Sequence, residues 1–172
     1  MTPSAPLIDS LTPRRALALV AAFAGAAMAV ALYMQYGMGL VPCPLCSIQR
    51  MALILAGLLA LAGALLARGR GAQRTVLAAS AVATLGGAGV AAWHVWLIAN
   101  PPESLSCGRP FEWFSEDFPL VVWLPKLFRG DGDCLSESWS LLGLGVPHWS
   151  LVAFAAVLVL LALGWRAVGR AR

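Results

Sequence analysis

Four stretches organise the chain, each a run of apolar residues barely interrupted by polar ones, at residues 16–36, 48–67, 75–98 and 149–168. Each is close to the roughly 20 apolar residues that carry an α-helix across the hydrocarbon core of a bilayer. The pattern predicts four spans. Residues 37–47 and 99–148 form two loops on one side, and the basic turn of Arg68, Gly69, Arg70, Gly71 and Arg74 lies on the other. Arg14 and Arg15 precede the first run, a basic start that would also suit a signal peptide. A signal peptide has only about 7–15 apolar residues and a small-residue cleavage site. This run is longer and closes on Tyr33-Met34-Gln35-Tyr36, an interfacial pattern, so it reads as a retained span. In the third run Gly86, Gly87 and Gly89 permit close helix approach, and Trp93 and Trp96 suit an aromatic belt. Residues 111–128 mix Trp113, Phe114, Phe118 and Trp123 with charges, and Pro119 and Pro125 interrupt them. A short helix lying in the interface is expected there, not a fifth span.

Composition supports this reading. With 60% hydrophobic and 12% charged residues and a mean hydropathy of +0.79, the chain is not a soluble domain. It reads as an all-α membrane protein, a bundle of four transmembrane helices forming a single membrane domain over residues 1–172. The net charge of +4 does not point to nucleic acid, because the charges sit at the ends of the apolar runs. Arg14, Arg15, Arg68, Arg70, Arg74, Arg166, Arg170 and Arg172 fall on one side of the four spans. Arg50, Arg109, Lys126 and Arg129 fall on the other, with every acidic residue except Asp9. Positive residues stay in the cytoplasm, so both termini are expected there and both longer loops outside. All four cysteines lie in those outer loops, Cys43 and Cys46 in the first and Cys107 and Cys134 in the second, where disulfides persist.

The chemistry centres on Cys43-Pro44-Leu45-Cys46, a C-x-x-C dithiol where a loop meets the second span. Such a pair makes and breaks a disulfide within one turn, and a helix N-terminus stabilises its thiolate. Its ring is small and contains Pro44, so it should be more readily reduced than a bridge closing a long loop. With Cys107 and Cys134 there are four cysteines and three possible pairings, and two structural disulfides bracing the loops are the plain alternative. Zinc sites commonly use two close pairs of ligands, whereas Cys107 and Cys134 are far apart in sequence; no metal is expected. Haem attachment is excluded because Ser47, not His, follows Cys46.

Arg50 lies four residues after Cys46, on the same helix face one turn on. Two readings apply: a guanidinium snorkelling to the interface, or one that stabilises negative charge on Cys46 or on a bound electron acceptor. His94 is expected at similar depth on the third span, as a packed interfacial residue or a site residue. Trp93, Trp96, Trp123, Trp139 and Trp149 suit the belt, and some could wall a flat lipophilic ligand.

Pro42-Cys43-x-x-Cys46-x-x-x-Arg50, then Cys107, Gly132-Asp133-Cys134, and Trp139-x-x-Leu142-Gly143-Leu144-x-x-Pro147-x-Trp149 together resemble the DsbB family of disulfide bond formation proteins. Trp123-x-Pro125-x-x-Phe128 fits as well. The resemblance covers nearly the whole chain. It implies a bacterial inner-membrane protein that reoxidises a periplasmic DsbA-like, thioredoxin-like thiol oxidase and passes the electrons to a membrane quinone, ubiquinone or menaquinone. It implies further that Cys107 and Cys134 form the disulfide the partner attacks, that Cys107 carries the mixed disulfide, and that Cys134 exchanges with the Cys43–Cys46 pair. Cys46, Arg50 and His94 would then face the quinone. Gln49 and Pro44 depart from the family pattern, where an acidic and an aliphatic residue are expected. Two other classes compete. A vitamin K epoxide reductase-type enzyme carries its C-x-x-C near the last span, unlike this chain. A membrane scaffold with structural disulfides is disfavoured by Arg50 and by the small C-x-x-C ring.

Overall fold

The computed structural model describes residues 11–101, 132, 134, 135 and 139–170, and every structural statement below concerns these residues. The expected interfacial helix at residues 111–128, Cys107 and Trp123 lie outside them.

Four long helices account for most of the fold: α1 (Pro13–Tyr36), α2 (Pro44–Leu66), α3 (Arg70–Ala99) and α4 (Val146–Arg170). All four are long and apolar enough to cross a membrane. Local sequence sets where they begin. Thr12 caps α1, its hydroxyl accepting from the Arg15 N–H at 3.3 Å, and Pro13 follows where a missing N–H costs nothing. Helix α2 begins at Pro44, inside the C-x-x-C motif and four residues before the apolar run at 48–67. The physical reason is Cys43, which takes the N-cap position that usually goes to Ser, Thr, Asp or Asn, with its sulfur accepting from the Cys46 N–H at 3.3 Å. Cys46 is therefore part of the helix, not of the loop.

Helices adjacent in sequence pack side by side and α4 closes the ring against α1, while the diagonal pairs barely touch. This is an up-and-down four-helix bundle. Leu17 and Val20 of α1, Ala60 and Ala64 of α2, Leu77 of α3 and Val157, Leu161 and Val168 of α4 form its core. Large apolar side chains such as Leu58, Leu65, Val82 and Val159 point outward instead, as lipid-facing residues do. Of the three clustered glycines only Gly87 is needed for packing. A Cβ there would run into the Phe154 ring and lie 2.8 Å from the Ala52 Cβ, whereas Gly86 and Gly89 face open space.

The end of the bundle holding the α1 N-terminus is basic. Arg14 donates through Nε to the Ala64 carbonyl at 2.9 Å, satisfying an orphan acceptor at the end of α2. Arg74 lies 5.8 Å from the centre of the Trp165 ring, a cation–π contact. At the opposite end a two-residue hairpin leads into α4, which the sequence pattern left within the loop. Its strands, β1 (Ser140–Leu141) and β2 (Leu144–Gly145), pair antiparallel across Leu142 (φ 56°) and Gly143 (φ 76°). Both turn residues are left-handed, as a tight hairpin requires. The Trp149 indole N–H donates to the Leu141 carbonyl at 3.3 Å and ties the hairpin to α4.

Candidate active site

The end opposite the basic one brings the cysteines together. The Cys43 and Cys46 sulfurs lie 2.9 Å apart at the start of α2. Cys134, distant in sequence, is folded against them: its sulfur, that of Cys43 and a ring nitrogen of His94 all lie within 4.8 Å of one another. Cys43 is 4% exposed and Cys134 3%, in a small apolar cluster with Leu45 and Leu97, while Cys46 is half-buried. The neighbouring Cys134 sulfur, then Cys46 and burial, push the Cys43 thiol far up, so this thiol holds its proton. Cys43, Cys134 and His94 also form a donor set of the kind that binds soft cations such as zinc.

His94 is 2% exposed and bonded at both ring nitrogens. Nε2 lies 3.1 Å from the Cys134 carbonyl oxygen and 3.9 Å from the Cys43 sulfur. Nδ1 lies 3.4 Å from the side-chain nitrogen of Gln49, itself 3% exposed. A carbonyl can only accept, so Nε2 carries the ring proton and Nδ1 accepts from Gln49. Arg50 turns toward α1, where it donates to Gln35 Oε1 at 2.5 Å and to the Ala31 carbonyl at 3.3 Å.

These residues border one cavity of about 540 Å³, within the range of ligand sites. Cys43, Cys46, Gln49, Arg50, His94 and Cys134 supply its polar rim. Phe23, Met34, Leu53 and Phe154 supply apolar walls, and Trp139 and Trp149 line it as well. Of the five tryptophans assigned to the belt, Trp93 and Trp96 stack at 4.9 Å and are 51% exposed, whereas Trp139 and Trp149 line the cavity.

Of the site residues expected from sequence, Cys43, Cys46, Arg50, His94 and Cys134 meet at this cavity, and Cys107 lies outside the described residues. The pattern missed Gln35, which reads as an interfacial residue but holds Arg50, and gave Gln49 no structural role. Two polar residues inside apolar runs were the available signal, because burying an amide costs free energy unless it is hydrogen-bonded.

Four apolar helices with a cysteine cluster at one end define a multi-pass membrane protein of thiol–disulfide chemistry. Comparison with known proteins makes this specific. The family model described as "Disulfide bond formation protein DsbB" matches residues 13–164. A disulfide bond formation protein B of Verminephrobacter eiseniae is 48% identical over 163 residues, 94% of this chain and 91% of that protein. Proteins of the same name from Acidovorax sp. (43% identical; 87% of this chain, 85% of the relative) and Azoarcus sp. (43%; 91% and 94%) match comparably. The chain belongs to the DsbB family, and is a multi-pass membrane oxidoreductase of disulfide bond formation.

Proposed function

We propose that this protein reoxidises a periplasmic DsbA-like thiol oxidase and delivers the electrons to a membrane quinone. The observation that carries the reading is the shared position of Cys46, Arg50 and His94 on the rim of an apolar cavity. A flat ring with a polar edge fits a space whose walls are aromatic and aliphatic and whose rim holds a guanidinium. Bound there, a quinone supplies the acceptor for the two electrons and two protons released when a dithiol closes to a disulfide.

The chain's own residues perform the exchange. The partner's thiolate attacks Cys107 of the Cys107–Cys134 disulfide, forming a mixed disulfide and releasing Cys134 as a thiolate. Cys134 then attacks Cys43 of the Cys43–Cys46 disulfide: the bond between the Cys134 and Cys43 sulfurs forms, the Cys43–Cys46 bond breaks, and Cys46 leaves with the electron pair. The short Cys134–Cys43 approach supports this order. Cys46, half-buried at the first turn of α2, faces the cavity, and Arg50 presents positive charge one turn along. The topology belonging to this reading has both termini cytoplasmic and the cysteine end periplasmic. The whole chain then acts as one membrane domain.

The test is quinone reduction in detergent, followed by the quinone's absorbance and driven by a reduced thioredoxin-like thiol oxidase. Wild-type protein should reduce ubiquinone or menaquinone analogues, and Cys46→Ser should abolish the activity. Folded wild-type protein that reduces neither analogue with more than one thiol partner would sink the proposal.

A further inference from the structure

Thiol exchange needs the attacking sulfur, the attacked sulfur and the leaving sulfur close together and aligned, and here the attacker arrives on a different loop. Contacts that hold that loop in place are therefore part of the chemistry. Two of them flank Cys134. On one side the Gly132 N–H donates to the Pro42 carbonyl at 2.9 Å, one residue before Cys43. The approach is so close that a Cβ on Gly132 would lie 2.5 Å from the Val41 carbonyl oxygen and 3.1 Å from the Pro42 carbonyl. On the other side His94 donates to the Cys134 carbonyl, and Gln49 holds the ring from behind.

We propose that Gly132 and the Gln49–His94 pair form a clasp that docks the second loop on the first and sets the Cys134 sulfur against Cys43. This rests on the exchange reading above and assigns these three as positioning residues. The clasp also gives Gln49 a reason. An amide can donate to Nδ1 while His94 keeps its proton on Nε2 for the Cys134 carbonyl. A carboxylate at position 49 can only accept, and would call for a second proton on the ring.

The test isolates the two sulfurs. In Cys46→Ser/Cys107→Ser protein only Cys43 and Cys134 remain, and diamide takes two electrons and two protons from them as their disulfide forms. Adding Gly132→Ala should slow this closure about tenfold, since the extra methyl forces the loops apart. Adding Gln49→Leu, which fills the site but cannot donate, should slow it severalfold. The reference is Cys43–Cys46 closure in Cys107→Ser/Cys134→Ser protein, which Gly132→Ala should leave unchanged. Unchanged Cys43–Cys134 closure in Gly132→Ala would overturn the clasp, as would an equal slowing of both pairs, which marks general damage to the fold. Closure rates that follow this pattern, with wild-type protein that reduces no quinone in the assay above, would keep the clasp and lose the quinone reading.

Discussion

Gly87→Ala is the sharpest probe of the packing that shapes the cavity. Gly87 is buried on α3 where α2 and α4 both approach, and its missing side chain is the space that the Phe154 ring and Ala52 occupy. The added methyl must displace one of them. Ala52 is fixed to the α2 backbone, so the Phe154 ring is the part that yields. That ring is 2% exposed to solvent and forms part of the cavity wall, so displacing it changes the shape of the cavity. Overpacking of this kind costs about 1–3 kcal/mol, against which replacing a helical Gly by Ala returns about 0.5–1 kcal/mol. The net expectation is a loss of up to about 2.5 kcal/mol for Gly87→Ala. Gly86 and Gly89, exposed and with nothing within 4 Å of a built Cβ, keep only the helix gain. The assay is unfolding of the three variants in mixed micelles as the denaturing detergent is raised, read by circular dichroism, with the quinone analogue's KM measured alongside. Gly87→Ala should unfold first and raise KM severalfold, while the other two match or exceed wild type. If all three unfold together, or Gly87→Ala leaves KM untouched, the packing argument is wrong.

Two further outcomes follow from geometry. In fully reduced protein a maleimide should label Cys46 at least about tenfold faster than Cys43, because thiolates are the nucleophiles and the Cys43 thiol is both buried and pushed up by the Cys134 sulfur beside it; peptide mapping after short labelling times checks this, and equal rates would refute it. Leu142, 85% exposed and at φ 56°, holds a left-handed conformation that costs an L side chain about 1–2 kcal/mol, so Leu142→Gly should raise the thermal midpoint in detergent, and a fall would show that the Leu side chain is needed at the turn.

The membrane fold was legible from one dimension because its cause is local. A backbone in hydrocarbon must satisfy its own hydrogen bonds, so a run of apolar residues of the right length has little alternative to a helix. The C-x-x-C motif and Arg50 were legible for the same reason, since their spacing is helical and their neighbours are in the chain. What sequence could not decide is everything that depends on which helix faces which. Gly86, Gly87 and Gly89 look alike in the chain, and only the approach of α4 distinguishes the middle one. The spacing put Arg50 on the face of Cys46, but only the bundle shows that its hydrogen bonds go to Gln35 and the Ala31 carbonyl across on α1. The start of α2 moved into the motif because a cysteine sulfur filled a capping position that residue preferences assign to other side chains. Cys134 could have stood anywhere in a long loop. Its place against Cys43 is set by a glycine thin enough to let two backbones touch and by a buried histidine reaching across from α3.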